Sequence, residues 1–542
     1  MNGILASVIR LAVTCALIAW AYVYALKYNL HMFQLNGYKN AEHITWLRRF
    51  KKRQWVLYAG LVLGALWIIF RKPVTADIVM WLWIVLIAVV FRALCNMSVK
   101  KKLVWTARVK RLAASIIVLD LLVIAAVFIL TAAFFGILTA LQVVRGACLM
   151  LLSVKFISPL IGCIVNSPME KGVNRHFIND AKRKLSANPG MTIIGVTGSY
   201  GKTSVKYYLG ELLSVKYTVT ITPESYNTPM GVVRTVREHM KPGTEVFVCE
   251  MGARHVGDIK ELCDLVHPHH GIITSVGPQH LDTFHTMDNI VSTKFELADA
   301  VPEGGMLFLN GDNEFEAKKA ASYSDKNPVM YYAKTEDAAV TSKGYRAEDI
   351  HCDSQGTSFD IVTPDGERDS FRMSLIGEHN IINVVGAIAV AHSMGIALSD
   401  LKIPVRRLKS VKHRLELIRR GDMYIIDDAY NSNPVGSKAA LDTLDMFDGT
   451  KIMITPGMVE LGEKEEEYNR EFGRHAGEVC DHLLLVGRKR AVPIREGALE
   501  AGMDVSRIKE FDKVEDAFGY AQQIRAEGTK YILLENDLPD NY

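Results

Sequence analysis

The chain of 542 residues is short of several features that would place it in a class at once. Its eight cysteines form no Cys-x-x-Cys pair and no metal-like cluster, which excludes a disulfide framework and points to a reducing compartment. Cys15, Cys95, Cys148 and Cys163 lie in apolar runs, as small hydrophobes do. There is no internal repeat and no low-complexity segment. Acid is nearly missing from the first third. Residues 1–170 hold only Glu42, Asp77, Asp120 and Glu170 against 19 Lys and Arg, a net of +15. The remainder carries 44 Lys and Arg against 55 Asp and Glu, a net of −11, and so no basic surface to attract nucleic acid. The overall +4 averages two unlike parts.

Long apolar runs fill the basic part. Residues 11–26, 55–70 and 78–91 are almost free of polar groups, and from Leu112 to Val144 only Asp120 and Gln142 interrupt. A helix needs about 20 residues to span a bilayer. With Gly136 and Arg145 breaking the last run, four or five membrane helices are expected over 1–168. A cleaved signal peptide is disfavoured by the further runs and by the lack of a small-residue cleavage site. The loops 28–54 and 98–111 concentrate Lys and Arg, which places both in the cytoplasm. The first helix then enters from outside, and everything after Asn166 returns to the cytoplasm. Arg10, Asp120 and Arg145 read as helix-end or snorkelling charges. The shortage of paired charges in the runs speaks against a transport path.

Beyond a linker at 169–190 the rhythm becomes α/β. Strand-to-turn edges are expected at 191–198, 244–252, 270–277 and 305–312, a β-rich insert at 329–374 and a long helix at 379–395. A second α/β pattern begins near Pro404, with strands at 423–430, 451–457 and 482–487. The expected fold is a membrane helical region, a P-loop parallel-sheet ATPase domain at 191–402 and a Rossmann-like α/β domain at 403–542.

Residues 195–204, GVTGSYGKTS, end in Gly-Lys-Thr after a β-rich run, yet Val196 stands where the common phosphate loop has its first Gly. The parts still suit a phosphate. Gly198 and Gly201 permit the turn, Lys202 supplies a cation, Thr203 a hydroxyl for Mg²⁺, and Thr197 and Ser204 flank them at a helix start. His267 to His270 looks metal-like but reads as a loop before a strand.

Thr197-Gly198-x-x-Gly201-Lys202-Thr203 resembles the loop of the Mur ligases, the ATP-dependent ligases of the peptidoglycan stem peptide. Further motifs follow in that family's order over about 190–490. CEMGARHVGDI resembles the segment whose Glu, here Glu250, holds Mg²⁺. SVGPQHLDTFHTMDNIVSTKFEL resembles the segment with a metal-binding His and a lysine carbamylated by CO₂, here His280 and Lys294. LNGDN and GEHNIINVVGAIAVA resemble the nucleotide-side motifs, which implies Asn380 and Asn383 at the adenine. KHRLE followed by IIDDAYNSNP puts Arg414 on the phosphates and Asp428 on the nucleotide. YNSNP and MVELGE point to the branch that adds D-alanyl-D-alanine to the UDP-muramoyl tripeptide, with Asn227, Tyr430, Asn431 and Asn433 as substrate contacts. The charge logic is independent of the resemblance: bringing a carboxylate to a phosphate needs cations, and Thr203, Glu250 and a carbamylated Lys294 are oxygen ligands of the kind Mg²⁺ prefers. Unmodified, Lys294 would instead be a surface lysine paired with Glu296 or Asp299.

The resemblance stops at both ends. The branch normally begins with a soluble uridine-nucleotide domain, where this chain has apolar helices, and LLENDLPDNY replaces the usual Lys-Gly-Ser stretch near the C-terminus. The expectation is therefore a multi-pass plasma-membrane ligase with cytoplasmic catalytic domains, using ATP and Mg²⁺. It would join an amino acid or dipeptide amine to a carboxylate that is lipid-linked or a peptidoglycan precursor. The alternatives are an orthodox stem-peptide ligase, a poly-γ-glutamate-type synthetase and an ATP-driven transporter.

Overall fold

The computed structural model describes residues 2–49, 54–69, 73–96, 102–333, 344–353, 355–429, 433–459, 461–526 and 528–536. Residues up to Arg175 form one compact unit and His176–Leu538 a second. In the first, the apolar runs become helices: α1 (Asn2–Leu35), α2 (Asn40–Arg49), α3 (Gln54–Ile69), α4 (Pro73–Asn96), α5 (Ala107–Phe135), α6 (Ile137–Ser153) and the start of α7 (Ser158–Ser186). Among the described residues, four stretches are long and apolar enough to cross a membrane: Ile9–Leu35, Asp77–Asn96, Ala107–Phe135 and Thr139–Phe156. α5 leaves Leu121, Leu122, Ile129, Leu130 and Phe134 exposed, a surface suited to lipid rather than water. Gly136, at φ +82°, turns α5 into α6. Much of the expected loop at 28–54 is helical, because α1 runs on to Leu35 and α2 follows.

α1 and α4 lie parallel. Trp81 Nε1 donates to Thr14 Oγ1 at 2.9 Å near their starts, and the Tyr28 and Phe91 rings meet at 5.7 Å near their ends. α3 packs antiparallel on α6 through small residues. A Cβ on Gly60 would strike Ser153, one on Gly64 would strike Met150, and one on Gly146 would strike Ile68. Gly60-x-x-x-Gly64 is the spacing that lets membrane helices approach closely.

The charges in this unit are not isolated, contrary to the expectation. Asp77 sits between Arg10, at 3.7 Å, and Arg145, at 3.9 Å. Asp120 accepts from Tyr22 at 2.6 Å and pairs with the wholly buried Lys155. The partners are far apart in sequence and meet only when the helices pack, so the pattern of single charges hid them. The argument against a transporter from missing pairs therefore falls.

Among the described residues the second unit holds two sheets. The first has the order β2-β3-β1-β4-β5-β6-β7-β8-β9, parallel from β2 through β7. Its strands are β1 (Thr192–Thr197), β2 (Val219–Ile221), β3 (Val246–Glu250), β4 (His270–Ile273), β5 (Leu307–Asn310), β6 (Val329–Ala333), β7 (Gly344–Asp353), β8 (Gly356–Val362) and β9 (Arg368–Met373). The last two pairings are antiparallel and form the β-rich insert. β1 is flanked by β3 on one side and β4 on the other, so the chain order switches there. Ligands of open parallel sheets bind at the carboxyl ends of strands at such a switch. The helix Glu378–Ser393 lays Ile381, Val384, Val385 and Ile388 into the core beside Val205 and Leu209. Pro404 lies inside the helix Leu398–Arg407 instead of opening a domain.

The second sheet runs β10-β11-β15-β12-β13-β14, with β10 (Glu416–Arg420), β11 (Met423–Asp428), β12 (Thr450–Thr455), β13 (His482–Val486), β14 (Ile508–Phe511) and β15 (Lys530–Glu535). All its pairings except β10 with β11 are parallel.

Candidate functional site

The loop Gly198–Gly201 leaves the end of β1 and enters the helix Lys202–Leu213, α8. Gly201 has φ +78°, and a Cβ there would stand 2.3 Å from Asn383 Oδ1. Gly198 has φ +149°, with Thr274 Oγ1 2.2 Å from its missing Cβ. Both positions demand glycine, and neighbours fill the space a side chain would take. Thr197 Oγ1 donates to the Met251 carbonyl at 3.0 Å, which ties the loop base to the end of β3. Lys202 Nζ donates back to the carbonyls of Gly198, at 2.7 Å, and Ser199, at 2.9 Å. Burial pulls its ammonium down to about 8, Arg414 works the same way, and Glu250 opposes them. Ser204 is buried in the first turn of α8.

Glu250 closes β3 and is buried. Its Oε1 accepts from Thr203 Oγ1 at 3.1 Å and from Asn227 Nδ2 at 3.0 Å, while Lys206 Nζ lies 3.0 Å from Oε2. Arg414 reaches across from the segment before the second sheet and donates to Thr203 Oγ1 at 3.2 Å. Arg414 is bracketed by His413 at φ +61° and Leu415 at φ +47°, a left-handed backbone that costs residues with side chains roughly 1–2 kcal/mol each. Asp428 accepts from the Leu415 amide at 3.2 Å; burial raises its carboxyl to about 6 while Arg414 opposes the rise.

The segment leading to His280 is stitched to the loop. Ser199 N donates to the Ser275 carbonyl at 2.6 Å, Ser199 Oγ to the Gly277 carbonyl at 3.0 Å, and Tyr200 OH to the Pro278 carbonyl at 2.8 Å. His280 itself is left-handed, at φ +54°. Lys294, on the helix Met287–Ala300, is 2% exposed, and no hydrogen bond or ion pair joins it to another described residue. Burial first, then Lys202, hold its amine well below the ordinary lysine range. The surface pairing is overturned. Glu296 caps the helix Asp258–Val266 through the amides of Gly257 and Lys260, and Asp299 accepts from Tyr323.

Among the described residues no three His, Cys, Asp or Glu side chains converge on one point. The Thr203–Glu250 pair is a two-oxygen donor set, which suits an ion that takes its other ligands from water and phosphate. Asn383 packs on Gly201, whereas Asn380 is held by Tyr208 OH at 2.9 Å and by the Ile376 carbonyl at 2.8 Å. Asn433 caps the helix Pro434–Asp445 by accepting from Gly436 N at 2.8 Å. Tyr430 and Asn431 lie outside the described residues. His269 and His270 each accept a backbone amide, from Ile193 and Met306, and so brace β1 and the entry to β5. Sequence reasoning missed Lys206 and the strained turn around Arg414. The one available signal was a lysine a helical turn beyond Lys202.

The profile of the Mur ligase middle domain matches residues 196–391, and that of the Mur ligase glutamate ligase domain matches 413–535. UDP-N-acetylmuramoyl-tripeptide–D-alanyl-D-alanine ligase of Bacillus subtilis is 30% identical over 343 residues, 62% of this chain and 72% of that protein. The Escherichia coli ligase of the same name is 29% identical over 324 residues, 58% and 70% of the two chains. MurF from Acinetobacter baumannii superposes with a TM-score of 0.60 at 26% identity, over 68% of this chain and 78% of its own. MurF from Thermotoga maritima, solved in complex with ADP, shares the fold with a TM-score of 0.58 at 24% identity, over 67% and 80%.

Proposed function

Because the chain belongs to the Mur ligase family of ATP- and Mg²⁺-dependent amide ligases, we propose that it is a membrane-anchored acid–amino acid ligase acting on a cell-wall precursor. The observation that carries the anchoring is the run of helices apolar and long enough to cross a bilayer, N-terminal to the ligase domains in the same chain.

The residues divide the work by charge. Lys202 and Arg414 supply the cations that the phosphates of ATP require, and Thr203 with Glu250 would hold Mg²⁺. When bound, that ion offsets the repulsion between a carboxylate and a phosphate. Lys294 acts as a carbamate, which its burial without an ion-pair partner favours. Asn383 lies on the nucleotide side of the loop and Asp428 behind Arg414. His280 follows the 275–278 segment that is hydrogen-bonded to the loop. The acceptor carboxylate takes the terminal phosphoryl group of ATP, releasing ADP, and the amine then displaces phosphate to form the amide.

The relatives' names favour D-alanyl-D-alanine as the amine and a muramoyl tripeptide as the acid. The apolar helices favour an acceptor presented on a lipid carrier over one free in solution. The test is product mass spectrometry on the full chain in detergent, given ATP, Mg²⁺ and D-alanyl-D-alanine with either a uridine-nucleotide or a lipid-linked tripeptide. A dipeptide mass added to the lipid-linked acceptor supports the proposal. Turnover of the nucleotide-linked one alone makes the chain an orthodox stem-peptide ligase, and ATP hydrolysis without any amide product overturns the ligase reading.

A further inference from the structure

Lys206 has no part in the chemistry above, yet it is wholly buried one turn beyond Lys202 on α8. Its Nζ sits 3.0 Å from Glu250 Oε2 and donates to the carbonyl of Glu224. Glu224 holds a left-handed backbone at φ +39° and opens the short segment that delivers Asn227 to the other oxygen of Glu250. Both oxygens of this carboxylate are thus already engaged, one by an ammonium and one by an amide and a hydroxyl. Lys202 bears on Glu250 electrostatically as well, and Arg414 stands on Thr203. Three cations, Lys206, Lys202 and Arg414, therefore bear on the Glu250–Thr203 pair.

We infer that Lys206 is a positioning residue that closes Glu250 to a free divalent cation, so that the metal enters only together with the nucleotide phosphates. The inference rests on Glu250 and Thr203 being the metal ligands proposed above. The reason is Coulombic. A lone dication approaching Glu250 meets an ammonium 3.0 Å from one ligand oxygen, in a buried setting where like charges repel strongly. A nucleotide brings several negative charges and reverses the local balance. Lys206 keeps a second partner in the Glu224 carbonyl, so it need not leave the site when Glu250 turns to a metal.

Mn²⁺ binding to the full chain in detergent, followed by electron paramagnetic resonance with and without ADP, tests this without reference to turnover. The wild type should bind Mn²⁺ in the presence of ADP and about tenfold or more weakly without it. Lys206→Gln removes the charge while keeping a donor for Glu224, and should bind Mn²⁺ without nucleotide about tenfold more tightly than wild type. A residue that only pins the Glu224 segment would leave the nucleotide-free affinity unchanged or lower it. Either result, or equal Mn²⁺ affinity of the wild type with and without ADP, overturns the inference. Lys206→Met answers the same question if the glutamine variant fails to fold, and the wild-type comparison decides it if both fail. Glu250→Gln in the presence of ADP separates the two readings. If it leaves Mn²⁺ affinity unchanged, the metal-ligand assignment fails, whatever Lys206 does.

Discussion

A lysine buried without an ion-pair partner is unfavourable as an ammonium, because burying an unpaired charge costs several kcal/mol, on the order of the Born penalty after relaxation. Lys294 is such a residue, and its amine is held well below the ordinary range by burial and by Lys202. A neutral amine is the form that adds CO₂, and the carbamate changes the sign of the charge it presents. Lys294→Ala should lose nearly all ligase activity and regain part of it with added short-chain carboxylic acids; full activity in the variant would remove the carbamate. Lys202→Ala should keep its fold by circular dichroism and lose on the order of 10²–10³-fold in turnover, the cost of one missing charge-assisted contact to a transferring group. Asp428 gives a pH signature. Its folded pKa, about 6, lies above the unfolded carboxylate value, so the folded state binds the extra proton between the two. Its charged form therefore costs stability as pH rises through 6. Thermal unfolding at pH 5.0 and 7.5 should show Asp428→Asn gaining on the wild type at the higher pH, and an equal offset at both would contradict the burial argument. Lys202 and Thr203 could be singled out because the loop pattern fixes their spacing, and Glu250 because it stands in CEMGARHVGDI. Lys206 was not, since a lysine in a helix has no distinguishing pattern until β3 places a carboxylate beside it.

At the scale of elements, the strands leading into the loop and out of β3, β4 and β5 could be read from short β-branched runs that end in Gly or a polar turn. Their order across the sheet could not, because β1 sits between β3 and β4 only after two crossovers. β15 is a sharper case. Lys530–Glu535 is six residues near the C-terminus with no flanking signal, yet it lies between β11 and β12 at the centre of the second sheet. The phosphate loop makes an element-level prediction. Gly201→Ala meets Asn383 Oδ1 at 2.3 Å in addition to the left-handed φ, whereas Gly243→Ala, at φ +71°, meets nothing within 4 Å. The Gly243 variant should lose roughly 1–2 kcal/mol by denaturant unfolding, the backbone cost alone. The Gly201 variant should lose more and bind ATP more weakly. Equal losses would mean that Asn383 does not press on the loop.

For the whole molecule, hydropathy alone leaves the number of crossings open, and packing supplies the missing constraint. α3 has 16 helical residues, about 24 Å, somewhat short of a hydrocarbon core of about 30 Å. Yet α1 and α4 run parallel, with Thr14 beside Trp81 and Tyr28 beside Phe91. Two successive crossings in one direction require the chain to return between them, and α3 is the apolar helix that lies there. Its antiparallel seat on α6, through Gly60, Gly64 and Gly146, has the same sense. If α3, α5 and α6 cross a bilayer along with α1 and α4, the crossings number five, an odd number that would put the two ends of the helical region on opposite sides. The basic stretches of the sequence at 28–54 and 98–111 would then fall on one side together, the cytoplasm by the positive-inside rule. Protease added to intact cells should therefore cleave a tag placed before Met1 and leave His176–Leu538 whole. Cleavage within His176–Leu538 would reverse the orientation. A protected tag beside a protected ligase region would make the number of crossings even, and the return through α3 would be wrong.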